Sequence, residues 1–296
     1  MSTSKFITGE NPKRFVVKKP NQAAGVEQDS PQQRQTPQHF LQKHSANQLI
    51  TEPSLGMVSL AARQAMVARV HRSGVQHPSV LNAMAAIERH LFIDSALASR
   101  AYDEAALPIG FKQTISQPCV VARMVELAAN SAASLRYAQA AASNPTQKSG
   151  VWLEIGTGCG YQCAIMAHVA AFVCSVERIE GLHHLATRHI RAAKIQNTAL
   201  LHGDGLLPWH NQYRSSHAPA SHERFDAIVV AAAGLGTPQV WLNQLNIGGR
   251  LVAPVQDALG QQCLAVVERH SDAHWQETRL EPVQFVPLLS GLQSAT

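Results

Sequence analysis

The chain has 296 residues, 45% of them hydrophobic and 15% charged, enough for one large α/β domain or two small ones. No apolar run approaches the roughly 18 residues of a membrane-spanning helix, and Met1–Lys5 opens no apolar core with a small-residue cleavage site, so neither a membrane protein nor a secreted one is expected. The formal net charge is +5, but residues 1–50 hold seven Lys or Arg against three Asp or Glu, so the body is near neutral and a nucleic-acid-binding face is disfavoured.

Residues 1–50 are rich in Gln, Pro, Ser, Lys and Asn, as in Gln32-Gln33-Arg34-Gln35-Thr36-Pro37-Gln38. A stretch with no apolar period cannot bury enough surface to offset its ordering entropy, so a disordered polar tail is expected. Its basic and hydroxyl residues leave an organelle transit peptide as an alternative. From residue 51 onward one domain is expected, with a helical part over 51–137 and a sheet over 150–296. Met57, Leu60, Ala61, Met66, Val67 and Val70 recur at helical spacing, and Gly74 is a plausible stop. A second helix starts near Pro78 and a third runs through Val120–Leu127. Ala138 to Gly150 reads as a loop of small and polar residues.

After Gly150 the period changes. Val151–Ile155, Phe172–Val176, Ala199–Leu201, Phe225–Val230, Arg250–Val255 and Cys263–Val267 read as strands. Helices are predicted over Tyr161–Val169, Leu182–Ala193 and Pro238–Leu245, with a polar insertion at Asn211–Glu223. Strands alternating with helices imply an α/β fold whose largely parallel sheet is covered on both faces. Five cysteines without a Cys-x-x-Cys pair argue against a disulfide framework or a zinc site. His183, His184 and His189 fall on a predicted helix without metal-ligand spacing, so no metal is expected.

Gly156-Thr157-Gly158-Cys159-Gly160 follows a strand and opens a helix, where glycine allows positive φ and close approach of backbone to a ligand. Glu177 lies 19 residues beyond Gly158, at the end of the next strand, placed to accept ribose hydroxyls. The loop lacks the Gly-x-Gly-x-x-Gly spacing of dinucleotide sites, and the acidic Glu154 precedes it. A carboxylate near the loop suits a ligand carrying a sulfonium and an ammonium better than a diphosphate, which favours S-adenosyl-L-methionine over a nicotinamide. Asp204, in Gly203-Asp204-Gly205, is a candidate for the adenine amino group, or an ordinary Asp-Gly turn.

Ala101-Tyr102-Asp103-Glu104-Ala105-Ala106-Leu107-Pro108-Ile109-Gly110 continues into Gln113-Thr114-Ile115-Ser116-Gln117-Pro118. With Leu153–Gln162, Ser175–Ile179, Gly203–Gly205, Phe225–Ile228, Gly248–Val252 and Phe285–Leu288, this closely resembles the bacterial protein-L-isoaspartate O-methyltransferases, over residues 57–292. The resemblance implies a Rossmann-like methyltransferase fold using S-adenosyl-L-methionine. By it, Gly156, Thr157, Gly158, Gly160, Glu177, Asp204 and Gly205 bind the cofactor, and Gln113, Thr114 and Ile115 border cofactor and substrate. Ser116 matches the position that the family assigns to the active site; a helix N-cap is its plainer reading. The implied reaction methylates the carboxylate freed at an isoaspartyl residue, starting repair through a succinimide. Val283–Leu288 would hold the substrate backbone, with Phe285 in the core. Proteins with isoaspartyl residues would be the partners of a cytoplasmic monomer that touches neither nucleic acid nor membrane. Cys159 stands where the family usually has Ser, Phe111-Lys112 where a Gly is common, and Gln256 where Gly is usual. A small-molecule or RNA methyltransferase of the same fold, or a non-catalytic cofactor-binding protein, are the competing readings.

Overall fold

The computed structural model describes residues 55–140, 149–213 and 223–294. The polar tail over 1–50, and most of the loops expected at 138–150 and 211–223, lie outside these residues. Four helices come first: α1 (Leu55–Arg72), α2 (Pro78–Ala86), α3 (Pro118–Ala129) and α4 (Ala132–Ala140). Between α2 and α3 lie two short 3-10 turns and a hairpin of β1 (Leu107–Gly110) and β2 (Gln113–Ile115). The remainder is β3 (Ser149–Ile155), α5 (Tyr161–Val169), β4 (Ala170–Glu177), α6 (Glu180–Ala192) and β5 (Thr198–His202), then α7 (Trp209–Gln212), β6 (Phe225–Val230) and α8 (Gln239–Asn243). It closes with β7 (Leu245–Gln256), β8 (Gln262–Ser271) and β9 (His274–Pro282).

Seven strands form one sheet in the order β5-β4-β3-β6-β7-β8-β9. The first five are parallel, and β8 and β9 add antiparallel at one edge. This is the mostly parallel, Rossmann-like sheet that the alternating pattern predicts. The period of 2 explains its burial. Trp152, Val173, Ala227 and Val229 enter one core with the helical residues Met66, Val80, Met84, Val125 and Ile165. Leu153, Cys174, Ile228 and Val230 enter the other with Trp209 and Trp241. Both faces are covered, so the strands read as continuous apolar runs.

Two carboxylates anchor the N-terminal helices. Glu126 accepts the Gln76 and His77 amides at the start of α2 (2.6 and 2.9 Å). Glu104 accepts the Cys119 amide in the first turn of α3 (2.9 Å). Ser116 is therefore not the N-cap of α3: Gln117 holds that position, without a side-chain bond, and Glu104 satisfies the orphan donor instead. Three other expectations need correction. Part of the loop expected from Ala138 is helix α4. The helix expected over Pro238–Leu245 is only the short α8, because Leu245 already pairs with Phe225 at the start of β7. Phe285 is half-buried, packed against the core from its rim.

Candidate active site

The glycine loop leaves β3 at the carboxyl edge of the sheet. Gly156, Gly158 and Gly160 have φ of 91°, 56° and 90°, a left-handed region costly for side-chain-bearing residues. A Cβ at Gly158 would stand 3.3 Å from Ile109 Cδ1 of the hairpin, so glycine keeps open the gap between loop and hairpin. The Gly158 amide donates to Glu177 Oε2 and the Ile179 amide to Glu177 Oε1, both at 2.9 Å. Burial raises the Glu177 pKa, and these backbone donors oppose the rise. Each oxygen retains a second lone pair for a ligand hydroxyl.

A cavity of about 910 Å³, open mouth included, lies over this loop. Gly156, Thr157, Gly158 and Glu177 form its floor. Ile109, Gln113, Thr114, Ile115 and Ser116 form one wall, and Val286–Leu289 another, with Gly205 also at its edge. The structure thus brings together Ser116, Gly156, Thr157, Gly158, Glu177, Gly205, Gln113, Thr114 and Ile115. Gly160 and Asp204 do not line the cavity. Gly160 caps α5, and both Asp204 oxygens already accept backbone amides, from Leu206 (2.8 Å) and Gly291 (2.7 Å).

Glu154 departs from the expectation that it serves a cationic ligand. It is fully buried beneath the loop, where Ser175 Oγ (2.5 Å) and Gln162 Nε2 (3.2 Å) contact it. Burial, aided by the nearby Glu177 charge, pushes its pKa up to about 8. At neutral pH it is mostly uncharged, so it serves the loop: Ser175 Oγ is also 2.6 Å from Thr157 Oγ1.

Sequence reasoning missed Arg89. It is fully buried, and its guanidinium donates to the backbone carbonyls of Ala101 (2.8 Å) and Ser116 (2.7 Å). It also stacks 4.7 Å from the Tyr161 ring centre. Arg89 thereby fixes the backbone of Ser116 at the cavity wall. Gln162 was missed as well. It reaches the cavity, and its Oε1 is buried without a partner among the described residues. Arg89 sits between Glu88 and His90 and gives no sign of burial in the sequence, whereas Gln162 ends the glycine-loop stretch and stands on an apolar helix.

The family profile described as protein-L-isoaspartate(D-aspartate) O-methyltransferase matches residues 61–293. The chain belongs to this family. Every cavity-lining residue, from Ile109 to Leu289, falls within the matched span. A protein-L-isoaspartate O-methyltransferase of Burkholderia pseudomallei is 47% identical over 239 residues, covering 81% of this chain and 66% of that protein. One from Bordetella petrii is 48% identical over 242 residues, covering 81% of this chain and 79% of that protein. The chain thus spans just under two thirds of the Burkholderia relative's length. Among solved structures, a putative family member from Plasmodium falciparum, in complex with S-adenosyl-L-homocysteine, superposes with a TM-score of 0.59 at 20% identity. That match covers 77% of this chain and 98% of the other. Another structure, named protein-L-isoaspartate O-methyltransferase, gives 0.62 at 23% identity, covering 78% and 67%. Both show the shared fold.

Proposed function

We propose that the chain transfers a methyl group from S-adenosyl-L-methionine to the free carboxylate of L-isoaspartyl residues in damaged proteins. The observation that carries this is one cavity with the glycine loop and Glu177 on its floor and the Gln113–Ser116 segment on its wall, in a chain of this family. The residues suit the cofactor. Gly158 supplies a cradle that any Cβ would narrow, Glu177 has lone pairs for ribose hydroxyls, and Gln162 Oε1 is an acceptor awaiting a donor such as an ammonium. Gly156, Thr157, Gly158, Glu177 and Gly205 would hold the cofactor, with Gly160 shaping the turn into α5.

When bound, the cofactor supplies a methyl group on a cationic sulfur. A carboxyl group with an ordinary pKa near 4 is already ionised at neutral pH, so no general base is required. The work left to the protein is positional: align the carboxylate and exclude water, which can remove several kcal/mol of barrier. Ser116, held from behind by Arg89, orients the carboxylate, and Gln113, Thr114 and Ile115 border both ligands. Val283–Leu288 supplies backbone to the damaged chain, so recognition reads main chain more than side chains. The methyl ester then closes to a succinimide unaided, and hydrolysis returns part of it to aspartate.

We further assign residues 1–50 to a polar tail, and the domain from residue 51 to a cytoplasmic monomer without nucleic-acid or membrane partners. Among the described residues, no helix is long and apolar enough to cross a membrane. The test uses methyl-labelled cofactor and two peptides differing only in one aspartyl or isoaspartyl linkage. Base-labile label on the isoaspartyl peptide alone is expected. Cofactor binding with label on neither peptide would refute the proposal and favour a small-molecule, RNA or non-catalytic role.

A further inference from the structure

Asp204, a candidate for the adenine amino group in the sequence, does not line the cavity, and its carboxylate accepts the Leu206 and Gly291 amides. After β9 the chain runs as a strap across the carboxyl edge of the sheet. It is fastened first near β6: Ala233 donates to Val286 O and Leu288 donates to Ala233 O, both at 2.8 Å. Val286–Leu289 then passes along the cavity. Beyond it, Gly291 donates its amide to Asp204 Oδ2 (2.7 Å), and Arg178 Nε donates to Gly291 O (3.0 Å). Gln293 pairs in parallel with Ile179, donating to Arg178 O and accepting from the Glu180 amide, both at 2.9 Å. Arg178 Nη1 also reaches Gln293 Oε1 (3.2 Å).

The strap therefore spans from the end of β6 to the end of β4, the two strands that flank β3 and its glycine loop. At its far end Leu289 to Ser294 are all exposed. A segment with so little burial leans on its polar contacts and is of the kind that opens first in a fold. Asp204 supplies a carboxylate to it. Its other oxygen accepts Leu206 N, which fixes the side chain in place. Charge-assisted bonds of this kind are the stronger ones.

We propose that Asp204 and Arg178 are positioning residues that clamp the C-terminal strap across the cofactor cavity, and that Asp204 acts on cofactor retention through Gly291. The proposal rests on reading this cavity as the S-adenosyl-L-methionine site. Releasing the strap frees one wall of the cavity and speeds cofactor exchange, and it loosens the Val286–Leu288 backbone proposed for substrate.

The test measures release of S-adenosyl-L-homocysteine from the full chain, from Asp204→Ala, from a chain ending at Ser290, and from the combination. Each single change should speed release by about 10-fold, the weight of a bond to a charged group. The combination should be no faster than the faster single change, because both remove the same clamp. Asp204→Asn has one carbonyl oxygen for two amide donors, from Leu206 and Gly291, so it should restore only part of the retention. Hydrogen exchange over residues 286–293 should quicken in Asp204→Ala, a readout independent of ligand. Multiplying effects in the combination would show that Asp204 meets the ligand directly and would overturn the clamp. Unchanged release from the chain ending at Ser290 would overturn it too. Failure of the full chain to bind the ligand at all would instead overturn the cofactor reading beneath it.

Discussion

Two acidic residues on neighbouring strands carry opposite duties. Glu177 opens onto the cavity with backbone donors on both oxygens, so its anionic form has partners. Glu177→Ala removes the ribose acceptor and the loop's anchor together. Cofactor affinity should fall by about 10-fold or more, since bonds to charged groups are worth about 1.5–3 kcal/mol; calorimetric titration checks this, and unchanged affinity would remove Glu177 from the site. Glu154 is sealed away and keeps its proton in the folded state up to a pH of about 8, against an ordinary value of 4.5. Between those values the unfolded chain has released a proton that the folded chain retains. Stability therefore falls as pH rises through this window, by at most about 1.4 kcal/mol per pH unit. Glu154→Gln should flatten that slope between pH 5 and about 8. Thermal unfolding across the window would show it; an equally steep slope would mean that Glu154 is charged in the fold. Ser116→Ala should lower kcat by about 10-fold, near the worth of one positioning hydrogen bond, and leave cofactor affinity alone. A parallel loss of affinity would place Ser116 on the cofactor instead.

At the scale of elements, legibility follows burial. Val151–Ile155 and Phe225–Val230 were readable as strands because both faces are buried and nearly every residue is apolar. The glycine loop was readable because only glycine tolerates its turns. The β1–β2 hairpin was not. Its turn places Phe111 and Lys112 at φ of 52° and 57°, where Asn-Gly or Asp-Gly would have announced it. Phe111 packs on Gly181 so closely that any Cβ there would overlap the ring, and this contact offsets the strain. Lys112→Gly should relieve about 1 kcal/mol and raise Tm by roughly 2–4 °C; a lower Tm in a melting scan would show the turn to be unstrained. Strand β9 escaped because an exposed edge strand such as His274–Pro282 carries little apolar pattern. Arg89 escaped because composition does not reveal a buried charge. Arg89→Ala leaves the Ala101 and Ser116 carbonyls unpaired and should cost about 3 kcal/mol, roughly 6–12 °C in Tm. A Tm within 1–2 °C of the parent, about the effect of a neutral surface change, would deny Arg89 that role.

On the scale of the whole molecule, three segments distant in sequence meet at the carboxyl edge of one parallel sheet, where open α/β sheets bind their ligands. The glycine loop supplies the floor, the hairpin supplies Gln113–Ser116, and the C-terminal strap supplies backbone. The floor was legible from spacing alone. Ser116 and the strap became legible only through the family resemblance, because neither carries a local pattern that physics demands. The charge distribution agrees with the proposed substrate. The near-neutral body has no polyanion to attract, and a damaged site can lie in any sequence context.

The proposed methyl transfer matters to the cell only if it leads to repair. The direct measurement follows an isoaspartyl peptide over repeated rounds with the protein and S-adenosyl-L-methionine, separating isoaspartyl, succinimidyl and aspartyl forms by chromatography. Steady loss of the isoaspartyl form, a transient succinimide and growth of the aspartyl form are expected, all requiring both protein and cofactor. An isoaspartyl peptide that persists unchanged while the protein demonstrably binds the cofactor would contradict it.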